Sequence, residues 1–134
     1  MLKQVSIFAE NRKGTFQSIT GILQEENINI LGSVTNDSAE YGIVRMIVSD
    51  TEKALDALRQ NGYLCLANDI LGVEMTDEIG SLNRLLISLA AGNISVDYIY
   101  LCFNRDTGNP MLILHTDEIG EVEEYLKSKG FSVQ

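Results

Sequence analysis

The sequence predicts an α+β protein built from two β-α-β-β-α-β units in tandem. Each unit is expected to be a four-stranded antiparallel sheet with both helices on one face. Two observations carry that prediction. The chain repeats itself at an offset of 66 residues, aligning Gly14 with Gly80, Thr15 with Ser81, Phe16 with Leu82, Asn27 with Asn93 and Ile28 with Ile94. Both copies then pass through the same succession of apolar periods, two for strands and three to four for helices. The offset drifts to 67 where Asp50 meets Asp117, and to 68 where Gly62-Tyr63 meets Gly130-Phe131. Such slips are what unequal loops produce.

In the first copy, Val5, Ile7 and Ala9 alternate with Gln4, Ser6 and Phe8, the pattern of a half-buried strand. Glu10-Asn11-Arg12-Lys13-Gly14-Thr15 is a polar turn ending in glycine and a capping residue, Thr15. Phe16, Ile19, Ile22 and Leu23 then recur at helical spacing, and Asn27 stops the helix. Strands are expected over 28–35 and 42–48, joined by the short polar turn 36–40 as a hairpin. Asp50 or Thr51 caps a second helix burying Ala54, Ala57 and Leu58, which ends at Asn61-Gly62. A fourth strand covers 63–66.

The second copy repeats the order. A strand over 71–75 and a turn over 76–80 precede a helix with Leu82, Leu85, Leu86 and Leu89 on one face. Strands over 94–104 and 111–115 flank the turn 105–109. A last helix carries Val122, Tyr125 and Leu126, and a short strand covers 131–133. The result is two ferredoxin-like βαββαβ units, residues 1–67 and 68–134. Units of about 65 residues lie near the lower limit for a self-sufficient core, so the two are expected to pack as a pair. The single proline, Pro110, lies well away from the join.

Composition narrows the function. The net charge of −9 is uneven, with 6 basic and 8 acidic groups in residues 1–67 against 4 and 11 in residues 68–134. Such a surface repels phosphate backbones, which argues against nucleic acid. Its acidic second half is read either as a solvated face or as a surface for a basic partner. The two cysteines, Cys65 and Cys102, lie in separate apolar runs without metal or redox spacing, as core thiols do. No signal-peptide pattern or membrane-length apolar run is present, so a soluble, cytoplasmic protein without membrane partners is expected.

Chemistry-bearing residues are few. His115, the single histidine, ends an apolar strand and reads as structural. No nucleophile–base constellation, metal-ligand cluster, P-loop or dinucleotide fingerprint occurs, so neither catalysis, metal nor cofactor is expected. What remains is the strand-to-helix turn of each copy. A glycine there lets the backbone approach a ligand closely, and the helix N-terminus behind it offers N–H groups suited to a carboxylate. Asn11 adds an amide that both donates and accepts. Local sequence leaves open whether Gly14 and Thr15 serve a ligand or only the turn.

Those residues carry a resemblance. Glu10-Asn11-Arg12-Lys13-Gly14-Thr15-Phe16, followed by Ile19 and Asn27-Ile28-Asn29-Ile30, resembles the opening of an ACT domain. The first copy is similar to the acetolactate synthase regulatory-subunit type, which carries E-N-x-x-G at this turn. Asp77-Glu78-Ile79-Gly80-Ser81-Leu82 with Asn93-Ile94 fits the same pattern. The resemblance implies tandem ACT domains and regulatory binding of a small molecule, usually an amino acid, at an interface between such units. Carried over, Asn11 and Gly14 match the ligand-contacting turn, with Arg12, Lys13, Thr15 and Phe16 beside them. Asp77 and Gly80, with Glu78, Ile79, Ser81 and Leu82, are their counterparts. A frequent proline before the glycine is replaced by Lys13 and Ile79. Leu31, Gly32 and Ser33, with Asp97, Tyr98 and Ile99, are secondary candidates on the following strand.

The leading expectation is therefore a non-catalytic, allosteric amino-acid sensor. Backbone N–H groups at Gly14 and Thr15 would hold the ligand carboxylate, and Asn11 its amino or carboxylate group. The alternative is a ligand-independent regulatory subunit that binds a metabolic enzyme. Symmetry and exposed strand edges add the expectation of a homodimer.

Overall fold

The computed structural model describes residues 1–10, 12–37 and 41–134. The chain forms two compact units, Lys3–Asn68 and Asp69–Gln134, the latter including Met1–Leu2. Its elements are β1 (Leu2–Glu10), α1 (Thr15–Glu25), β2 (Ile30–Asp37), β3 (Tyr41–Val48), α2 (Thr51–Gln60), β4 (Leu64–Glu74), α3 (Ser81–Ala91), β5 (Tyr98–Phe103), β6 (Pro110–His115), α4 (Ile119–Ser128) and β7 (Ser132–Val133).

In the first unit the strands run in the order β2-β3-β1-β4, with β3 antiparallel to both of its neighbours. Register pairs Val5 with Met46 and Ile7 with Val44, so these side chains share one face of the sheet. Against that face pack Ile19 and Leu23 of α1 and Ala54, Leu55 and Leu58 of α2. Phe16, expected on the buried face of α1, is 44% exposed. It lies about 60° round the helix from Ile19, outside the narrow stripe that meets the sheet.

The second unit has the same topology. Its order is β5-β6-β4, with β7 on β4 as well, all antiparallel. Leu71 and Val73 of β4, Leu112 and Leu114 of β6, Leu85 and Leu89 of α3, and Val122 and Leu126 of α4 form its core. Leu82 and Leu86, predicted to share the buried face, are exposed for the same angular reason as Phe16.

All four helices end alike, which explains why the sequence repeats Asn-Ile and Gly-aromatic pairs. Asn27, Gly62, Asn93 and Gly130 each take positive φ. The next residue's N–H then donates to the carbonyl five residues back: Ile28 to Leu23, Tyr63 to Leu58, Ile94 to Leu89 and Phe131 to Leu126. This is the Schellman arrangement, accompanied by an apolar residue folded onto the core. Ile28 is therefore buried at a helix end, and β2 starts at Ile30 instead of 28. Likewise Ile94 and Val96 pack on the core ahead of β5, which begins at Tyr98 and not at 94.

The largest departure from the prediction lies in the middle of the chain. The segments 63–66 and 71–75, expected as separate strands, are one strand, β4, and the boundary between units falls inside it. Between them lie Asn68 and Asp69, residue types whose side chains usually compete for local backbone groups. Here the Asn68 amide oxygen accepts from Ser6 Oγ at 2.9 Å and from Gln4 Nε2 at 3.4 Å, both on buried β1. Gln4 Nε2 also donates to Ser6 Oγ at 3.1 Å. With its acceptor engaged across the sheet, Asn68 stays extended.

Candidate ligand-binding turns

The two strand-to-helix turns are built identically. Gly14 has φ 88°, ψ −5° and Gly80 has φ 90°, ψ −5°, and each occupies the N-cap position of its helix. Such φ values are costly for a residue with a Cβ, which explains the glycine at both positions. Thr15 is thus not the cap but the first helical residue, as is Ser81. Neither helix start receives a side-chain cap.

The backbone hydrogen bonds match one for one. Arg12 N–H donates to Glu10, Thr15 N–H to Arg12 and Ser18 N–H to Gly14; at the same offset Glu78 donates to Thr76, Ser81 to Glu78 and Arg84 to Gly80. Because the Thr15 and Ser81 N–H groups are engaged, the helix-start donors without an intrahelical acceptor are those of Phe16 and Gln17, and of Leu82 and Asn83. The partial positive charge of each helix N-terminus lies at these groups.

Chemistry separates the copies. At the first turn Arg12 is exposed and ion-paired through Nε to Glu10, with exposed Lys13 next to it. Thr15 is half-buried and Phe16 exposed. Asn11 lies outside the described residues. At the second turn Asp77, Glu78 and Ile79 are all exposed, Ile79 completely, and Ser81 Oγ lies 3.2 Å from Thr76 Oγ1. Leu82 is exposed as Phe16 is. The first turn therefore sets two cations before a helix N-terminus, and the second sets two carboxylates there.

A cleft of about 440 Å³ lies instead at the far end of α3, lined by Asn93, Ser95, Asp117, Glu118, Glu121 and Tyr125. A comparable cleft at the far end of α1 involves Thr20, Gln24 and Asn27–Ile30. Sequence reasoning did not single out the first, because Asn93 and Ser95 are distant in the chain from Asp117–Tyr125; the second comes from one short stretch, which was read only as a helix end. Of the secondary candidates, Gly32 and Ser33 lie on β2 past an irregularity between Ile30 and Gly32, and Leu31 falls at it. Ile99 is exposed on β5, and Tyr98 stacks on His115 with ring centroids 5.3 Å apart. His115 Nδ1 meets Asp97 Oδ2 at 2.7 Å, a pairing the chain separation hid.

Burial pushes the Cys65 thiol up, against the opposing pull of Arg59, and burial pushes the Cys102 thiol up as well, so both are protonated core groups at neutral pH. Among the described residues no group of three His, Cys, Asp or Glu side chains could hold a metal ion. No helix there is long and apolar enough to cross a membrane.

A family model described as an ACT domain pair matches residues 1–132. The chain belongs to that family. This ACT pair is 31% identical to a protein of known structure from Bacteroides thetaiotaomicron, covering 99% of this chain and 91% of that one at a TM-score of 0.90. The ligand-free regulatory subunit of aspartate kinase from Thermus thermophilus shares the fold at 12% identity, with 94% and 91% covered and a TM-score of 0.66. The corresponding subunit from Thermus flavus does so at 13%, with 89% and 85% covered and a TM-score of 0.62. A comparison with curated proteins found no match. ACT domains are a regulatory, ligand-binding type, and the ferredoxin-like βαββαβ unit occurs twice here.

Proposed function

We propose that this ACT pair is a non-catalytic regulatory protein that binds an amino acid at an interface between ACT units, through the Gly14 turn. The observation that carries the reading is the uncapped start of α1, with Arg12 and Lys13 beside it and a cap glycine that leaves the approach open. N–H donors and nearby cations together suit a carboxylate. The Phe16 and Gln17 N–H groups hold it, two residues further on than Gly14 and Thr15, and Asn11 takes the amino or carboxylate group. The Gly80 turn, flanked by Asp77 and Glu78, favours an ammonium group instead. A bound ligand regulates through differential affinity for two arrangements, with a coupling of about 1–3 kcal/mol. That the Thermus neighbours are regulatory subunits of aspartate kinase accords with a regulatory role. The protein is taken to act in the cytoplasm as a homodimer.

A thermal-shift screen against the twenty amino acids tests this, since a ligand of the folded state raises the midpoint by mass action. A shift confined to one related group, lost in Asn11→Ala, is expected. Unchanged affinity in a folded Asn11→Ala protein would remove Asn11 from the site. One feature favours a second reading, a ligand-independent subunit of a metabolic enzyme: the acidic excess of residues 68–134. Capture of a single enzyme from lysate, indifferent to added amino acids, would select it.

A further inference from the structure

Between α3 and α4 of the second unit lies a cavity of about 580 Å³. Arg84, Ile87 and Ser88 line it from α3, and Tyr125, Lys129 and Phe131 from α4 and the turn that follows. Small-molecule sites span roughly 300–1,000 Å³, so the volume suits an organic ligand. The Tyr125 hydroxyl donates to the Ser88 carbonyl at 2.7 Å, which fixes its ring against α3. The Arg84 guanidinium lies over the Phe131 ring, 5.8 Å from its centroid, and the Lys129 ammonium over Tyr125 at 5.5 Å. Ile87 is 61% exposed beside them.

The charge here runs against its surroundings. Residues 68–134 hold 4 basic groups against 11 acidic, and two of the four, Arg84 and Lys129, line this one cavity. Lys127 is spent on Glu123 at 3.6 Å, whereas Arg84 and Lys129 have no carboxylate partner among the described residues. Two cations brought to one cavity repel each other, and an anion between them removes that cost.

The fold does not require these side chains. The repeat matches Arg84 with Ser18 and Ile87 with Gly21 at an offset of 66, and Tyr125 with Ala57, Lys129 with Asn61 and Phe131 with Tyr63 at 68. In the first unit the polar groups satisfy one another. The Tyr63 hydroxyl donates to Ser18 Oγ at 3.0 Å, and Asn61 Nδ2 to the Ala57 carbonyl at 2.8 Å. The same helix pair is thus built there without a charge at either position.

We propose that the α3–α4 groove binds an aromatic carboxylate, its charge held by Arg84 and Lys129 and its ring set against Ile87, Tyr125 and Phe131. A guanidinium presents paired donors to a carboxylate, and one already lying on an aromatic ring has less freedom to lose. A bare inorganic anion would leave Ile87 and most of the cavity in water, whereas a ring meets the two rings already there. The site is separate from the Gly14 turn and does not rest on that reading.

Titration of the full chain with phenylacetate, followed through amide chemical shifts, tests the site. Shifts should concentrate at Ser88, Tyr125 and Phe131. Acetate, which lacks the ring, and 2-phenylethylamine, which reverses the charge, should each bind about tenfold more weakly or worse. Arg84→Ser combined with Lys129→Asn gives the second unit the residues with which the first already folds. That variant should melt as a folded protein and lose about tenfold or more in phenylacetate affinity, while Asn11→Ala should lose none. No shifts at the groove, acetate binding as well as phenylacetate, or unchanged affinity in the folded double variant would each overturn the proposal. Shifts confined to residues 12–17 and lost in Asn11→Ala would assign the binding to the Gly14 turn and leave the groove without a ligand.

Discussion

The Gly14 and Gly80 turns are the same backbone with opposite chemistry in front of it. Their dihedral angles agree within a few degrees and their hydrogen bonds correspond residue for residue. Arg12 and Lys13 stand where Glu78 and Ile79 stand, and Asn11 where Asp77 does. The backbone is shared because both turns must reverse the chain from a strand into a helix over one sheet, and a positive-φ glycine does that in either. Exposed side chains carry no such constraint. The fold is therefore duplicated while the ligand chemistry has room to diverge.

The largest expected effects test whether the units are energetically as alike as they are geometrically. Leu23 and Leu89 are fully or almost fully buried at matching positions of α1 and α3. Leu23→Ala and Leu89→Ala should each cost about 2–5 kcal/mol in chemical denaturation. Two resolved transitions in the variants would show units that unfold separately. Next come the glycines. An added Cβ meets nothing within 4 Å at Gly14 or Gly80, so Gly→Ala measures backbone strain alone. Each should cost about 1–2 kcal/mol, equally at both sites. Unequal losses would mean that one turn relaxes.

A smaller effect separates the later halves of the units. Asp50 caps α2 by accepting from Lys53 N–H at 3.1 Å, whereas α4 begins at Glu118 in the left-handed region with no side-chain cap. Asp50→Ala should cost about 1 kcal/mol, and Asp117→Ala, its partner in the repeat, less than about 0.5 kcal/mol. Thermal melts of both variants decide this.

Acidification probes the second unit specifically. Glu74 accepts from Thr107 Oγ1, from Asn109 Nδ2 at 3.0 Å and from Asn104 Nδ2 at 3.3 Å, bracing the β5–β6 turn. These bonds, Thr107's first, hold its carboxyl below the usual glutamate value. A carboxylate with a depressed folded pKa stabilises above its unfolded pKa, and that contribution is lost as pH falls through the lower folded value. Melting midpoints should therefore drop more steeply below about pH 4 in the wild type than in Glu74→Gln. Equal slopes would show that the turn does not feel the charge. The smallest effect belongs to ligand selection. Lys13→Ala should weaken a carboxylate ligand by roughly two- to fivefold, the worth of one exposed charge near a helix N-terminus. Calorimetry should find Asp77→Ala without such a loss.

Much of the fold was legible because local rules agree with the tertiary outcome. Asn27 and Asn93 end helices in the sequence and do so in space, since asparagine tolerates the left-handed region that a helix exit demands. Val5, Ile7 and Ala9 alternate because one face of β1 meets α1 and α2. The turns holding Arg12 to Phe16 and Glu78 to Leu82 were legible through their glycines. Less legible were features that depend on partners far along the chain. Asn68 remains in a strand because Gln4 and Ser6 satisfy it. Glu74 braces a turn some thirty residues away. Thr15 yields the cap to Gly14, a choice made by backbone dihedrals that residue type alone does not reveal.

By itself, then, the sequence determined the duplication, the element order, the helix exits and the two glycine turns, because periodicity and φ preference act within a few residues. Tertiary structure alone decided that β4 is one strand, that Phe16, Leu82 and Leu86 lie outside the cores, and that Ile99, Leu101 and Phe103 face solvent along an edge. Burial is set by which strand ends a sheet and how far a helix reaches across it, and no local pattern encodes either.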